Sequence, residues 1–190
     1  MGNIVAIACS TRPDGSSASL TDAFLDGAMG LSTNIVTLHR PAKFKSIQDC
    51  NYCLNCKATG KCILNDDVKE ILDDVIKADC VVFSTPLFFG GPNALYKLIE
   101  DRMYAFLDSS GKSILRPGKK AVLIITCSEP DQEMDALANL LSKNLETFGF
   151  EIMDVIKYCD NYGKNPASEN SELVKRVKEL GKTMRNTPTK

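Results

Sequence analysis

Apolar residues follow two rhythms along this chain. Short, almost continuous apolar runs occupy residues 3–9 (NIVAIAC), 34–39 (NIVTLH), 79–85 (DCVVFST), 121–126 (AVLIIT) and 150–158. Runs of this length, rich in β-branched residues, predict strands covered on both faces. Between them apolar positions recur every three or four residues. Leu20, Phe24 and Ala28 form one stripe, Met134, Leu137, Leu141, Leu145 and Phe148 a second, and Leu173, Val177, Leu180 and Met184 a third. That spacing predicts helices with one buried face. Gly30 and Gly149 follow two of the stripes and are expected to end those helices. Asp67 and Glu70 have the spacing of a capping box opening a helix to about residue 77, and residues 94–107 predict another.

A strand–helix unit repeated five times predicts an α/β fold. Right-handed crossovers give a doubly wound five-stranded parallel sheet of flavodoxin-like order 2-1-3-4-5, with helices on both faces. The 190 residues suit one domain spanning 1–190. The long connection 43–65, between the second strand and the next helix, suggests a function or a bound group.

Composition narrows the function classes. The chain is 44% hydrophobic and 25% charged, as ordinary globular proteins are, and its formal net charge is −1. Without a basic field, nucleic acid and anionic membrane are disfavoured as partners. Lys112, Arg116, Lys119 and Lys120 read as a solvated loop. No segment approaches the roughly 20 apolar residues of a membrane span, and no leader pattern precedes the first strand. A cytoplasmic location is therefore expected, where thiols stay reduced. Cys9, Cys80, Cys127 and Cys159 lie in or beside strands and are expected to be small core residues.

In such a sheet, ligands bind beyond the carboxyl ends of the strands. Residues 10–17 (STRPDGSS) occupy that place after the first strand. A helix N-terminus offers N–H groups and partial positive charge to an anion. Ser10, Ser16 and Ser17 add hydroxyls, Arg12 adds a guanidinium, and Gly15 permits close approach. The pattern is neither G-x-G-x-x-G nor a Walker loop. A monophosphate such as that of FMN suits it, the alternative being a serine-rich turn before a helix. After the third strand, TPLFFGGP (85–92) supplies two aromatics and two glycines, a flat apolar wall with backbone access. This suits a tricyclic ring, the alternative being a hydrophobic turn packed on the next helix, which the neighbouring loop 10–17 disfavours.

Cys50, Cys53, Cys56 and Cys62 lie in the long connection with spacing C-x2-C-x2-C-x5-C. Four thiols so close can hold an iron–sulfur cluster, hold structural zinc, or form a packed loop of reduced thiols. Asp66 and Asp67 read as helix-start residues. His39, the sole histidine, ends a strand with no evident catalytic partner.

Three segments carry a family resemblance. STRPDGSS resembles the FMN-phosphate loop of the NAD(P)H-dependent FMN reductase family. TPLFFGGPNALYKLIEDR resembles that family's S-P-V-Y-x-G-x-x-x-A-x-x-K-x-x-I-D-R segment. CNYCLNCKATGKCILNDD resembles the cysteine segment of its iron–sulfur flavoprotein branch. Cys9 stands where the family has glycine, Phe88 where it has tyrosine, and Glu100 shifts the I-D pair by one. The resemblance implies a flavodoxin-like fold, bound FMN, NAD(P)H as co-substrate and a homodimer or homotetramer. It implies that Ser10, Arg12, Ser16 and Ser17 hold the phosphate. It places Pro86, Leu87, Phe88, Phe89 and Gly90 against the ring system, with Thr126, Cys127 and Ser128 flanking it. In the branch with cysteines it implies a [4Fe–4S] cluster on Cys50, Cys53, Cys56 and Cys62. The expected activity is passage of electrons from NAD(P)H through FMN to a second acceptor. The alternative is an electron carrier between ferredoxin and FMN.

Overall fold

A computed structural model describes residues 2–30, 33–129 and 133–184. The main strands are β1 (Asn3–Ala8), β2 (Ile35–His39), β3 (Cys80–Phe88), β5 (Lys119–Cys127) and β6 (Phe150–Cys159). They pair in parallel in the order β2-β1-β3-β5-β6. A two-residue strand, β4 (Gly91–Pro92), folds back antiparallel on β3, pairing Leu87 with Pro92 and Phe88 with Gly91. Leaving that short strand aside, the order is the expected one. β4 escapes notice in the sequence because two residues carry no periodicity.

Successive strand residues face opposite sides, so each strand feeds two cores. Val5, Ile7, Val81, Phe83, Leu123 and Ile125 pack on one side with helices α3 (Val68–Lys77), α4 (Ala94–Arg102) and α5 (Glu133–Thr147). Ile4, Ala6, Val82, Val122 and Ile124 pack on the other with α1 (Ser16–Met29) and α6 (Ser171–Thr183). The second pair of helices meets very closely. A Cβ on Gly27 would lie 1.9 Å from the Lys178 carbonyl oxygen, and one on Gly181 would lie 2.1 Å from that of Phe24. Only hydrogen fits at those crossings.

Several expectations change. The predicted helix 94–107 ends at Arg102 and tightens into a 3-10 turn, Met103–Phe106. β3 runs on through the Phe88 of the loop. The long connection contains a short helix, α2 (Asn55–Thr59). Gly149 ends α5 in the left-handed region at φ 96, whereas Gly30 ends α1 with right-handed φ −60. Cys9, Cys80 and Cys127 are buried, and Cys159 is partly so, packed against the first core.

Two charged residues also depart from their sequence readings. Lys119 is fully buried, not solvated. Its Nζ donates to the carbonyls of Val75 (2.9 Å), Ile76 (3.1 Å) and Ala78, closing the carboxyl end of α3. No capping box forms at Asp67, because its carboxylate accepts instead from the amides of Lys45 (2.7 Å) and Ser46 (3.1 Å). His39, which ends β2, has a hydrogen-bond partner in α3, with Nε2 3.0 Å from Asp74 Oδ2. Among the described residues no helix is long and apolar enough to cross a membrane.

Candidate functional site

The carboxyl edge of the sheet gathers the loops after β1, β3, β5 and β6. α1 begins there at Gly15, whose backbone is extended (φ −68, ψ 161). No side chain caps the first turn, and no acidic residue sits in it. The amides at the start of this 14-residue helix are thus left for an external acceptor. Ser10 Oγ donates to the Arg12 carbonyl (3.1 Å) and accepts from the Arg12 amide (3.2 Å), which folds the loop back on itself. The Arg12 side chain is largely exposed, with its guanidinium 3.8 Å from Asp160.

Asp160 follows β6 and is buried. Its Oδ2 accepts from Ser16 Oγ at 3.0 Å, and Ser16 Oγ in turn accepts from the Ala167 amide at 3.2 Å. The Ser16 hydroxyl proton is therefore committed inside the protein, and the backbone N–H is what Ser16 has left for an anion. Asp160 Oδ1 accepts from Gly163 N–H (3.0 Å), steadying three successive left-handed residues, Asn161, Tyr162 and Gly163. Ser17 is buried. Its carbonyl accepts from Ser84 Oγ of β3 at 3.2 Å, tying α1 to the neighbouring loop.

Asn93 joins these loops. It caps α4, accepting the Tyr96 amide on Oδ1 at 3.0 Å. Its Nδ2 donates to the carbonyl of Cys9, where the loop 10–17 starts. Its own amide donates to Thr85 Oγ1 at 3.1 Å. One buried residue, through its side chain and its backbone amide, therefore ties the end of β1 and Thr85 of β3 to the start of α4. Sequence reasoning passed over Asn93, although its place before a helical run is a preferred cap position.

Between Thr85 and Asn93 the chain makes an exposed turn. Phe89 (φ 49) and Gly90 (φ 77) are both left-handed. A bulky residue rarely adopts that conformation, and such strain gathers at functional sites. The Phe89 side chain is fully exposed (103%) and Phe88 is 56% exposed. A Cβ on Gly90 would come within 2.9 Å of Glu133 Oε2, so the start of α5 closes in on this turn. Pro86 and Leu87 are half-buried beneath the aromatics, and Thr126 and Cys127 are buried at the end of β5, with Ser128 partly exposed beside them. The expected residues thus come together at one edge. Asn93 and Asp160 join them because their partners lie 84 and 144 positions away in the chain.

The four cysteines form a separate site at the far end of α4. Nine residues at about 1.5 Å each put it roughly 14 Å along the helix from Asn93. Cys50, Cys53, Cys56 and Cys62 line one small cavity, closed by Arg102, Tyr104 and Ala105. Tyr52 (φ 55) and Leu54 (φ 61), one before and one after Cys53, are left-handed and curl the chain so that its thiols share that space. Lys57 Nζ donates to the carbonyls of Tyr104 (2.7 Å) and Leu107 (2.6 Å) and lies 3.4 Å from the Tyr104 ring centroid. Tyr52 stacks on Tyr104. Hydrogen bonds from Asn55 lower the pKa of the exposed Cys53, whereas burial raises that of Cys56, as do the charges of the other three cysteines against the opposing pull of Lys57. Four cysteine sulfurs lining one cavity are the kind of soft donor that a soft cation prefers. The cysteines share a cavity without forming a closed ligand set: among the described residues no three His, Cys, Asp or Glu side chains stand ready around a metal position.

Asp66 belongs to this site and not to a helix cap. Its side chain and that of Arg102 are both fully buried. Arg102 Nη1 donates to Asp66 Oδ2 (2.9 Å) and to the Gln48 carbonyl (2.8 Å), and Nη2 donates to Asp66 Oδ1 (3.1 Å). The Gln48 amide donates to Asp66 Oδ2 at 2.7 Å. Burial alone would raise the Asp66 pKa, but Arg102 and the Gln48 amide outweigh it and hold the carboxyl below its usual range.

Comparison with known proteins places this geometry. The family described as NADPH-dependent FMN reductase matches residues 3–159. An iron–sulfur flavoprotein of Methanocaldococcus jannaschii is 34% identical over 101 residues, 52% of this chain and 50% of that protein. One from Clostridioides difficile is 28% identical over 65% of this chain and 52% of its own length. These matches span about half of either relative. One from Archaeoglobus fulgidus is 24% identical over 93% of this chain and 76% of its own. Among solved structures, an FMN-dependent NADH-azoreductase from Bacillus anthracis in complex with FMN superimposes with a TM-score of 0.74 at 14% identity, covering 98% of this chain and 100% of that one. An NAD(P)H:quinone oxidoreductase from Methanothermobacter marburgensis superimposes with a TM-score of 0.73 at 14% identity, covering 100% and 98%. At such identities the two structures establish the flavodoxin-like fold.

Proposed function

The chain belongs to the NADPH-dependent FMN reductase family, and on that premise we propose that it is an FMN-dependent oxidoreductase that uses NAD(P)H. The observation that carries this reading is the uncapped start of α1 beside the strained, aromatic turn at Phe88–Gly90. One feature suits a phosphate and the other a flat ring. Bound FMN would supply the redox chemistry, accepting electrons from NAD(P)H and delivering them to a second acceptor.

The protein's part is to bind and orient. The first amides of α1 and the Arg12 guanidinium hold the phosphate. Asp160 keeps Ser16 and the loop after β6 in place beneath it. Pro86, Leu87, Phe88, Phe89 and Gly90 line the ring, with Thr126, Cys127 and Ser128 on its flank. The exposed faces of Phe88 and Phe89 leave room for a nicotinamide or another planar acceptor. A homodimer or homotetramer would cover part of this apolar surface. FMN titration of the apoprotein, followed by flavin fluorescence, tests the reading. Saturable one-to-one binding supports it, and no binding overturns it.

A second reading has its own observation, the shared cavity of Cys50, Cys53, Cys56 and Cys62. It is an iron–sulfur flavoprotein whose four cysteines hold a [4Fe–4S] cluster and which exchanges electrons with a protein such as ferredoxin. The names of the curated relatives support a cluster over zinc. Iron and acid-labile sulfide in anaerobically purified protein support this reading, and zinc or no metal overturns it.

A further inference from the structure

Among the described residues only two buried side-chain nitrogen or oxygen atoms lack a hydrogen-bond partner, the Tyr96 hydroxyl and Arg102 Nε. Tyr96 sits in the first core, far along α4 from the cysteines. Arg102 lines the cysteine cavity itself. Its other two nitrogens donate three hydrogen bonds, two to Asp66 and one to the Gln48 carbonyl. Every guanidinium nitrogen carries at least one N–H donor. A buried donor left without an acceptor loses the hydrogen bond it had with water and gets nothing in return. The surrounding wall offers sulfur, from Cys50, Cys53, Cys56 and Cys62. Cys62 acts on the guanidinium through its charge and as a hydrogen-bonding sulfur, so the arginine already faces the cysteine motif.

We propose that Arg102 is a positioning residue of the four-cysteine site, with its Nε–H reserved for a sulfur of a bound iron–sulfur cluster. This rests on the cluster reading given above. Asp66 is the clamp. It takes both Nη atoms, so the guanidinium plane cannot turn, and it also binds the Gln48 amide two residues before Cys50. The arginine is thus tied to the backbone that leads into the cysteine motif. Hydrogen bonds to cluster sulfurs stabilise the more negative, reduced state and raise the reduction potential. A lysine at this position would keep a positive charge near Asp66 but could not provide the fixed side-on N–H.

The test compares full-length wild-type protein with Arg102→Lys, each reconstituted anaerobically with iron and sulfide and loaded with FMN. Three quantities are read: iron and sulfide per chain, the midpoint potential of the cluster, and the midpoint potential of the flavin. The expected result is a cluster that is harder to reduce in Arg102→Lys. The shift should be at least tenfold in the reduction equilibrium, about 59 mV for a one-electron couple, with the flavin potential unmoved. Equal cluster potentials in the two proteins overturn the role of Arg102 while leaving the cluster reading intact. Wild-type protein that takes up no iron and sulfide overturns the cluster reading and the inference with it. Should Arg102→Lys not fold, wild-type protein grown with heavy-nitrogen-labelled arginine decides the matter. Pulsed electron paramagnetic resonance of its reduced cluster should show coupling to an arginine nitrogen, and its absence refutes the proposal.

Discussion

Asn93→Ala removes two strong interactions, besides a long contact from Thr85 Oγ1 at 3.5 Å, and the structure separates their costs. The first is the cap of α4, where Oδ1 accepts the Tyr96 amide. Replacing an asparagine cap by alanine costs about 1 kcal/mol. The second is the bond from Nδ2 to the Cys9 carbonyl, at a wholly buried residue. Leaving that acceptor unsatisfied adds about 1–3 kcal/mol. The total is roughly 2–4 kcal/mol, lowering Tm by roughly 5–15 °C for a chain of this size. Asn93→Ser isolates the second term, since serine caps well but cannot reach Cys9. Its loss should be about 1 kcal/mol smaller. Because Cys9 opens the loop proposed to hold the phosphate, both variants should also bind FMN more weakly. Urea unfolding followed by circular dichroism, with FMN titration alongside, gives both readouts. An Asn93→Ala protein within about 0.5 kcal/mol of wild type refutes the assignment of the Asn93 side chain as the tie between β1 and α4.

Other consequences can be checked in the same way. Gly181→Ala must push α6 away from the Phe24 carbonyl, which a Cβ would meet at 2.1 Å. The expected loss is about 1–3 kcal/mol, measured by thermal unfolding. Lys119 titrates at about 8 when folded, against an ordinary 10.5, chiefly because it is buried and also because Arg116 is near. The unfolded chain therefore binds more protons between those values, and stability rises with pH across that window. The rise is at most about 3 kcal/mol, because the three carbonyls it donates to favour the ammonium. Urea midpoints should climb from pH 8 to 10.5 in wild type, and that climb should be absent in Lys119→Met. Arg12→Ala should weaken FMN roughly tenfold, about 1.4 kcal/mol, with little change in Tm, since the side chain is 65% exposed. Ser16→Ala should instead lower Tm, because it strips a partner from the buried Asp160.

Much of the fold could be read from local pattern. The five apolar runs became the five main strands, and the periodic stripes became α1, α5 and α6, because burial on two faces or on one leaves a direct mark on the residues. The positions of loops 10–17 and 85–92 were legible for a similar reason: each directly follows an apolar run and so falls at the carboxyl edge of the sheet. What could not be read depends on partners distant in the chain. Lys119 looks like one more lysine in a basic loop until α3 brings its terminal carbonyls around the ammonium. Asp66 and Arg102 are 36 residues apart, and nothing near either one signals a buried pair. Asp160 reaches Ser16 only through the closure of the sheet. Local composition also misled at Asp67, where two loop amides outcompete the helix for the carboxylate.

Anaerobic addition of NADPH or NADH to the FMN-loaded protein, with the flavin absorption followed in time, is the decisive measurement. Bleaching of the oxidised flavin bands, reversed on admitting an acceptor such as a quinone, is the predicted result. Protein that binds FMN but is not reduced by either nicotinamide, while reduced ferredoxin bleaches it, would contradict the NAD(P)H oxidoreductase reading and leave the electron carrier in its place.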